Sequence, residues 1–283
     1  MHRLTLGKLE LTIVSDGTYY LDAGSMFGVV PKALWSSKYT PDAENRMACG
    51  TNGVLVRGGS KTVLIETGIG TKLGKLDEVY EPHKELLTNL ASAGAKPEDV
   101  DVIINSHLHF DHCGWNTVHD ANGKAVPTFP KAQYFVQRGE WEHAQEQHER
   151  DRISYISDNY NPLIQSGQMT LLNGIAEICD GVRVRVFPGH TRWMQAIYIE
   201  SEGQTACYIS DLIPTSMHLD LAWVMSYDTF PIESIDNKKR YYAEALNTPE
   251  NPHRFLTIFT HDHETPWAWL RHNQRGRVVA DRA

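Results

Sequence analysis

The segment Ser106-His-Leu-His-Phe-Asp-His-Cys-Gly114 decides how the rest of the chain is interpreted. It follows residues 100–104, a short apolar run that predicts a buried strand. The segment contains four potential metal ligands, which are His107, His109, Asp111 and His112. The first two histidines stand two residues apart, so on an extended segment both imidazoles face one side and can bind one metal ion. The aspartate and the third histidine then turn toward a neighbouring position.

Imidazole and carboxylate ligands together suit zinc, iron or manganese, and cobalt is also accepted. Two such ions about 3.5–4 Å apart can share a hydroxide. A surface patch of histidines, or core histidines satisfied by hydrogen bonds, is the alternative interpretation. The density of ligands directly after a buried strand favours the metal centre.

The elements predicted around this segment fall into two similar halves. The first half contains a hairpin (54–57 and 62–66), a helix (82–93), a strand (132–137) and a helix (140–150). The second half contains a strand (182–187), a hairpin (195–201 and 204–210), a helix (238–246) and a strand (255–260). Mixed charges over residues 140–152 indicate a solvated helix face. The candidate ligands follow strand ends, where α/β proteins build sites on loops, and we predict one domain over residues 1–283.

Composition excludes several classes of function. The chain has 283 residues, with 27 Lys and Arg against 35 Asp and Glu, for a formal net charge of −8. This balance argues against charge-driven binding to nucleic acid or to anionic lipid. No apolar run has the length of a signal peptide or a membrane span, so a membrane is not an expected partner. The cysteines are scattered, which predicts free thiols and a cytoplasmic protein; they are Cys49, Cys113, Cys179 and Cys207.

The complete pattern resembles the metallo-β-lactamase fold superfamily. Besides His-x-His-x-Asp-His, the matching motifs are Glu66-Thr67-Gly68, Pro188-Gly189-His190-Thr191, Ile209-Ser210-Asp211 and Phe259-Thr260-His261-Asp262. The resemblance implies an α/β fold, an αββα four-layer sandwich with two pseudo-symmetric halves and the site at one open edge. It also implies that the protein is an enzyme, a metal-dependent hydrolase of the lactonase or esterase type.

The resemblance implies a ligand for every position of a dinuclear site. The first metal is assigned to His107, His109 and His190, the second to Asp111, His112 and His261, and Asp211 bridges them. Zinc is the preferred ion. His263 is an alternative to His261, and Cys113, beside the motif, is interpreted as a buried thiol. Glu66 replaces the family's usual aspartate and is expected to support the ligands, unless it is only a charge at a strand end.

The catalytic roles follow from this ligand set. Two divalent ions lower the pKa of a bridging water and polarise the substrate carbonyl or phosphoryl oxygen. Asp111 is expected to take the proton of the nucleophile or pass it to the leaving group. Asp211 is expected to hold both ions, and both aspartates are therefore predicted to be catalytic. A scaffold that has lost its chemistry is disfavoured because no ligand is missing.

The substrate is expected to be a lactone or an ester. Residues 19–35 predict a lid-like loop, and the substrate-pocket candidates are Met26, Phe27, Trp35 and, at the rim, Trp193. An apolar lid favours a hydrophobic tail, although this loop can also simply pack on its own core. Residues 106–114 and the tail Phe259-Thr-His-Asp-His-Glu264 resemble the quorum-quenching lactonases that open N-acyl homoserine lactones.

Other substrates and contacts stay open at this stage. Some lactonases carry a tyrosine three residues after the bridging aspartate, where Pro214 stands here; the possible substitutes are Tyr19, Tyr20 and Tyr227. The segment Asp211-Leu-Ile-Pro-Thr215 resembles the organophosphate-hydrolysing branch, which keeps phosphotriesters as an alternative, and thioesters are a further one. Trp267-Ala-Trp269 serves either a homodimer interface or the core.

Overall fold

The computed structural model describes residues 2–246 and 255–283. Its strands in chain order are β1 (Arg3–Leu6), β2 (Leu9–Asp22), β3 (Arg46–Arg57), β4 (Val63–Ile65), β5 (Val102–Ile104), β6 (Thr117–His119), β7 (Ala125–Pro127), β8 (Gln133–Gln137), β9 (Met169–Leu172), β10 (Ala176–Cys179), β11 (Val182–Val186), β12 (Gln195–Ser201), β13 (Gln204–Tyr208), β14 (Leu256–Ile258), β15 (Trp267–His272) and β16 (Val278–Arg282). The α-helices are α1 (Ala23–Phe27), α2 (Lys32–Trp35), α3 (Asp77–Tyr80), α4 (Leu86–Ser92), α5 (Phe110–Cys113), α6 (Arg138–Glu146), α7 (Asn161–Gln165) and α8 (Pro231–Ala245).

Two seven-stranded sheets form the centre of the fold. The first has the order β1-β2-β3-β4-β5-β8-β9, and the second runs from β10 to β16 in chain order. Strands β4, β5, β8 and β9 pair in parallel, as do β13 and β14, whereas the other pairs are antiparallel. Strands β6 and β7 form a separate hairpin.

Alternating side chains explain the layers. Val54 and Val56 of β3 point into the core between the two sheets, whereas Leu55 points to the outer face of the first sheet. On β12, Ile197 enters the same central core and Tyr198 faces outward. Because successive side chains of a strand point to opposite faces, a continuous apolar run builds two hydrophobic layers at once.

Helices cover the two outer faces. Helices α4, α6 and α7 contribute Leu90, Ala144 and Leu163 to the outer core of the first sheet. Helix α8 contributes Tyr241 and Ala245 to the outer core of the second sheet. The layers are therefore helix, sheet, sheet and helix, which confirms the predicted αββα sandwich.

Some predicted elements have different boundaries. The helix predicted over residues 82–93 covers only Leu86–Ser92, and α8 begins at Pro231 instead of residue 238. Proline suits the first turn of a helix because its missing N–H has no partner there in any case. The lid-like loop predicted over residues 19–35 is instead the end of β2 followed by two short helices.

The segment Trp267-Ala-Trp269 packs in the core. Trp267 is buried in the central core and Trp269 packs against the same core. Of the two roles that the sequence allowed, a core or a homodimer interface, both side chains therefore have the first.

Among the helices within residues 2–246 and 255–283, none is long and apolar enough to cross a lipid bilayer.

Candidate metal centre

Strand ends bring the candidate ligands to one edge of the sandwich. In the first sheet, Ile65 of β4 pairs in parallel with Ile104 of β5, and the chain leaving β5 reaches His107 three residues later. In the second sheet, Tyr208 of β13 pairs with Ile258 of β14, and Asp211 and His261 follow these two strands. Parallel strands end at the same edge, so register brings the segments of each sheet together, and packing of the two sheets on one central core brings the two pairs together.

The seven predicted ligands form one buried cluster. Their potential ligand atoms group into three sets, and within each set all atoms lie within 4.8 Å of one another. The sets are His107, His109 and His190; His107, His112 and Asp211; and Asp111, His112 and His261. The first and third sets are the two triads that the resemblance implies, and the second set places Asp211 between them.

Asp211 is the centre of the cluster. Its Oδ2 atom lies 3.2 Å from His190 Nε2, 3.5 Å from His112 Nε2 and 4.0 Å from His107 Nε2. Its Oδ1 atom lies 3.1 Å from His261 Nε2. One carboxylate thus faces imidazoles from both halves of the chain, which is the arrangement that a bridging ligand requires.

Unpaired buried atoms test whether this set fits a metal. His107 Nε2, His112 Nε2 and Asp211 Oδ1 are buried without a hydrogen-bond partner among the described residues. Burying polar atoms without partners is costly, so such atoms call for an explanation. His107, His112 and Asp211 form one of the three ligand sets, and a cation bound among them would explain the unpaired atoms.

The two imidazoles His109 and His190 strengthen this fit. Their Nδ1 and Nε2 atoms, respectively, lie 3.0 Å apart. Two nitrogen ligands at about 2.0–2.1 Å from a tetrahedral zinc ion would be about 3.3 Å apart. The observed separation is that of a hydrogen bond between the two rings, and it also brings both nitrogens within reach of one divalent ion.

Outer contacts orient the imidazoles. His261 Nδ1 donates to the carbonyl oxygen of Gly50 at 2.7 Å, which leaves its Nε2 free to act as a ligand. His190 Nδ1 lies 3.1 Å from Asp228 Oδ1, and Ser234 Oγ donates to the other oxygen of that carboxylate at 2.8 Å. Such partners typically orient metal-binding histidines and select their tautomer.

Glu66 contacts both ends of the ligand segment at residues 106–112. Its Oε1 accepts a hydrogen bond of 2.7 Å from the backbone N–H of Ser106, and its Oε2 lies 3.6 Å from His112 Nδ1. Its backbone has φ of 59°, a left-handed conformation that is strained for a residue other than glycine. The position of the carboxylate supports the expected role in holding ligands, and a mere strand-end charge would not be buried.

The electrostatics favour an ionised carboxylate among imidazoles. Burial opposes ionisation of Asp211, but His261, His112 and His190 outweigh it and hold its pKa well below the ordinary value. Burial and the adjacent imidazoles hold the pKa of His107 well below its ordinary value. Burial alone would lower the pKa of His261, but the neighbouring carboxylates Asp211 and Asp111 outweigh it and raise the pKa above its ordinary value. A metal ion would displace the proton that the raised pKa favours on His261, whereas His107 is already in the neutral form that binds metal.

A cavity of about 160 Å³ opens onto the cluster. Its floor includes Asp111, Asp211 and His261, and its wall is largely apolar, formed by Leu21, Met26, Phe110, Ile153 and Met225. The side chain of Tyr19 lies at the boundary and donates from its hydroxyl to Asp111 Oδ2 at 2.6 Å. Tyr227 lines the same cavity, whereas Tyr20 is not among its lining residues.

The predicted pocket residues occupy different positions. Met26 lines the cavity. Phe27 and Trp35 stack on each other with ring centroids 5.2 Å apart, and they belong to the hydrophobic cluster behind the cavity wall. Trp193 packs over Gly139 and is 42% exposed, outside the lining of the cavity.

Two alternatives from the sequence can be located as well. His263 is exposed and lies outside the three ligand sets of the described residues, whereas His261 is buried within one of them. Cys113 is buried, and its thiol donates to the carbonyl oxygens of Leu108 and His109.

Two carboxylates near the ligands are not marked by any sequence motif. Asp228 holds His190 but stands in no motif. The solvated face predicted over residues 140–152 is exposed over residues 145–150, but the prediction is wrong at Glu140, whose side chain is fully buried. The surrounding charges concealed it, although its position in the first turn of α6, just after a buried strand, was a usable signal.

A larger groove of about 950 Å³ lies elsewhere, between α2, α8 and the turn joining β15 to β16. None of the clustered histidines or aspartates lines it. Chemistry rather than volume therefore identifies the smaller cavity as the candidate active site.

Comparison with known proteins agrees with this geometry. The profile described as "Metallo-beta-lactamase superfamily" matches residues 46–278 of the chain. An N-acyl homoserine lactonase of Bacillus cereus is 33% identical over 117 residues. That alignment covers 41% of this chain and 40% of the relative, so the chain spans less than half the length of this Bacillus lactonase.

Solved structures resemble the chain along almost its whole length. One is described as "a probable metal-dependent hydrolase from Staphylococcus aureus", with a TM-score of 0.85, 26% identity and coverage of 99% of both chains. Another is AidC, described as a dizinc quorum-quenching lactonase in complex with the product N-hexanoyl-L-homoserine. Its TM-score is 0.79 at 21% identity, covering 99% of this chain and 97% of that one, which shows a shared fold.

Proposed function

The chain belongs to the metallo-β-lactamase superfamily, and from that premise we propose that it is a dinuclear metal-dependent hydrolase that opens N-acyl homoserine lactones. The observation that carries the proposal is the buried cluster of five imidazoles and two carboxylates at the floor of a largely apolar cavity. A lactone with an acyl tail would present its carbonyl to the cluster and its hydrocarbon chain to the apolar wall of the cavity.

Each half of the cluster is assigned one metal ion. His107, His109 and His190 would hold the first, and Asp111, His112 and His261 would hold the second, while Asp211 would contact both. Zinc is the preferred ion, since imidazole and carboxylate ligands suit it, and iron, manganese and cobalt share these preferences. Such ions would lower the pKa of a bound water toward neutrality and polarise the substrate carbonyl.

The side chains of the cavity supply the rest of the chemistry. Asp111 lines the cavity, so its carboxylate can take the proton that the attacking water loses and return it to the ring oxygen that leaves. The water oxygen bonds to the carbonyl carbon as the ring C–O bond breaks, which yields a hydroxy acid. Tyr19, whose hydroxyl contacts Asp111, holds that carboxylate in place. Met26 and Ile153 would contact the acyl chain.

The setting of the reaction is also part of the proposal. The four cysteines are free thiols, three of them buried, which is consistent with a reducing cytoplasm. The substrate is a small molecule, because the cavity over the cluster is narrow. We include a homodimer in the proposal, and sedimentation of the purified protein tests this oligomeric state.

Proton release during hydrolysis tests the proposal. N-hexanoyl- and N-decanoyl-homoserine lactone are supplied to the metal-loaded protein, with Asp211→Asn as the inactive comparison. We expect ring opening by the wild-type protein, since the acid product releases one proton per turnover, and none by the variant. A phosphotriester and a thioester are tested on the same sample. If these were hydrolysed while both lactones were not, the hydrolase would stand but the lactonase assignment would be wrong.

A further inference from the structure

We propose that Glu140 is a positioning residue that holds the two loops of the first metal site in register. The inference rests on the ligand assignment of the proposed function. It concerns a residue that lies outside the ligand set and outside the cavity lining.

Glu140 lies in the first turn of α6, and its side chain is fully buried. Its Oε1 accepts from the backbone N–H of Leu108 at 3.2 Å and from the hydroxyl of Tyr155 at 2.9 Å. Its Oε2 accepts from the hydroxyl of Thr191 at 2.6 Å. One carboxylate therefore joins three separate segments of the chain.

Two of these segments carry the ligands of the first metal. Leu108 lies between His107 and His109, and Thr191 directly follows His190. The bonds to Glu140 thus join the ligand loop of the first half to that of the second half. The third segment adds a direct contact, because the ring of Tyr155 packs edge-on against His109 with centroids 4.8 Å apart. This packing restrains the ring of His109.

The chemistry of the donors argues that stability is not the main role of Glu140. All three hydrogen-bond donors are neutral groups, and burial raises the pKa of Glu140 although these donors and the nearby His143 oppose the rise. Burying a carboxylate whose hydrogen bonds all come from neutral donors is costly even when its oxygens are satisfied. An apolar side chain would fill the same space at lower cost but would leave the ligand loops unconnected.

The second metal site is held by other groups. Asp111 receives the hydroxyl of Tyr19, His112 faces Glu66, and His261 donates to the carbonyl of Gly50. None of these contacts involves Glu140. Removing its carboxylate should therefore weaken one metal site and spare the other.

A metal titration distinguishes this role from a general contribution to folding. The apoprotein is titrated with Co²⁺ and then with Zn²⁺ for wild type, Glu140→Ala and Glu140→Gln, while calorimetry records melting temperatures. We expect Glu140→Ala to bind the first metal about 10- to 100-fold more weakly, with the second site unchanged, because orienting partners contribute on that scale. Glu140→Gln keeps Oε1 as an acceptor and should restore most of the affinity.

Asp16→Asn is the matched control. Asp16 is also a fully buried carboxylate, and it accepts from the backbone N–H groups of Ile69, Gly70 and Leu86 and from the indole of Trp115. Its partners lie in no segment of the first metal site. We expect this variant to melt at a lower temperature while its first metal affinity stays at the wild-type value.

Each outcome is decisive. If Glu140→Ala bound both metals as wild type does, or if Asp16→Asn lost the first metal equally, the positioning role would be wrong while the proposed function stood. If wild type bound no metal, the proposed function would fail and this inference with it. Should Glu140→Ala not fold, Thr191→Val removes only the hydroxyl donor to Oε2, and a first-site affinity equal to wild type would overturn the inference.

Discussion

The two halves of the sandwich build their shares of the site in different ways. The first half supplies four ligands from one continuous stretch, residues 107–112, which runs from a strand end into the short helix α5. The second half supplies three, and each comes from its own loop: His190 after β11, Asp211 after β13 and His261 after β14. Local chain geometry therefore arranges the first set, whereas sheet register and buried hydrogen bonds must arrange the second.

The junction between the halves is correspondingly strained. Glu66 follows β4 and Ser210 lies just beyond β13, and both have left-handed backbones, with φ of 59° and 52°. The hydroxyls of Ser106 and Ser210 lie 2.7 Å apart and join the two edges. Strained residues other than glycine tend to gather at functional sites, where surrounding contacts hold them in place.

The largest expected effect comes from the residue that contacts both halves. Replacing Asp211 with Ala should reduce turnover on the order of 10³-fold and lower the metal content, because its oxygens face imidazoles from both loop systems. Steady-state rates and elemental analysis measure the two effects. Asp236→Ala, an exposed residue of α8 paired with Lys239, is the control and should behave as wild type.

The comparison of the halves is sharpened by removing one ligand from each. His109→Ala and His261→Ala should each retain about one metal ion per chain and lose activity by about 100-fold, since each belongs to a different triad. Elemental analysis with rate measurements tests this. Loss of both ions from either variant would contradict this, because it would mean that the two sites do not bind metal independently.

Tyr19 offers a smaller effect that leaves the ligands intact. Tyr19→Phe removes the hydroxyl that donates to Asp111 and should lower kcat about tenfold, the scale of one hydrogen bond to a charged group. Metal content should not change. Tyr20→Phe is the matched control, because the ring of Tyr20 packs against Arg46 and does not line the cavity. Equal rates for both variants would remove Tyr19 from the mechanism.

The cavity wall should give the smallest effect. Ile153 lines the cavity yet is 60% exposed, so Ile153→Ala should fold normally and lower kcat/KM for N-decanoyl-homoserine lactone about fivefold, through lost apolar contact. Ile232 on α8 is 71% exposed and lies outside the cavity lining, so Ile232→Ala should have no effect. Trp193→Ala should also have none, because Trp193 packs on Gly139 outside the cavity. A large loss from Trp193→Ala would restore its predicted place at the rim.

The contrast between the halves also explains what could be predicted from the sequence. The ligands at 107–112 are contiguous and follow an apolar run, so their spacing alone indicates a metal site. His190, Asp211 and His261 were located through strand ends and family motifs. Asp228 and the carbonyl of Gly50 reach the site only through tertiary pairing, and no local pattern marks them. The charges around Glu140 in the sequence indicate a solvated position. Its three buried hydrogen-bond donors come from other segments of the chain, so no local pattern reveals them.

The number of metal ions per chain tests the central claim most directly. Elemental analysis of the purified protein, before and after dialysis against zinc, should give about two ions per chain, since two triads share Asp211. A value below one that neither added zinc nor manganese restores would contradict the assignment of these side chains as a dinuclear centre.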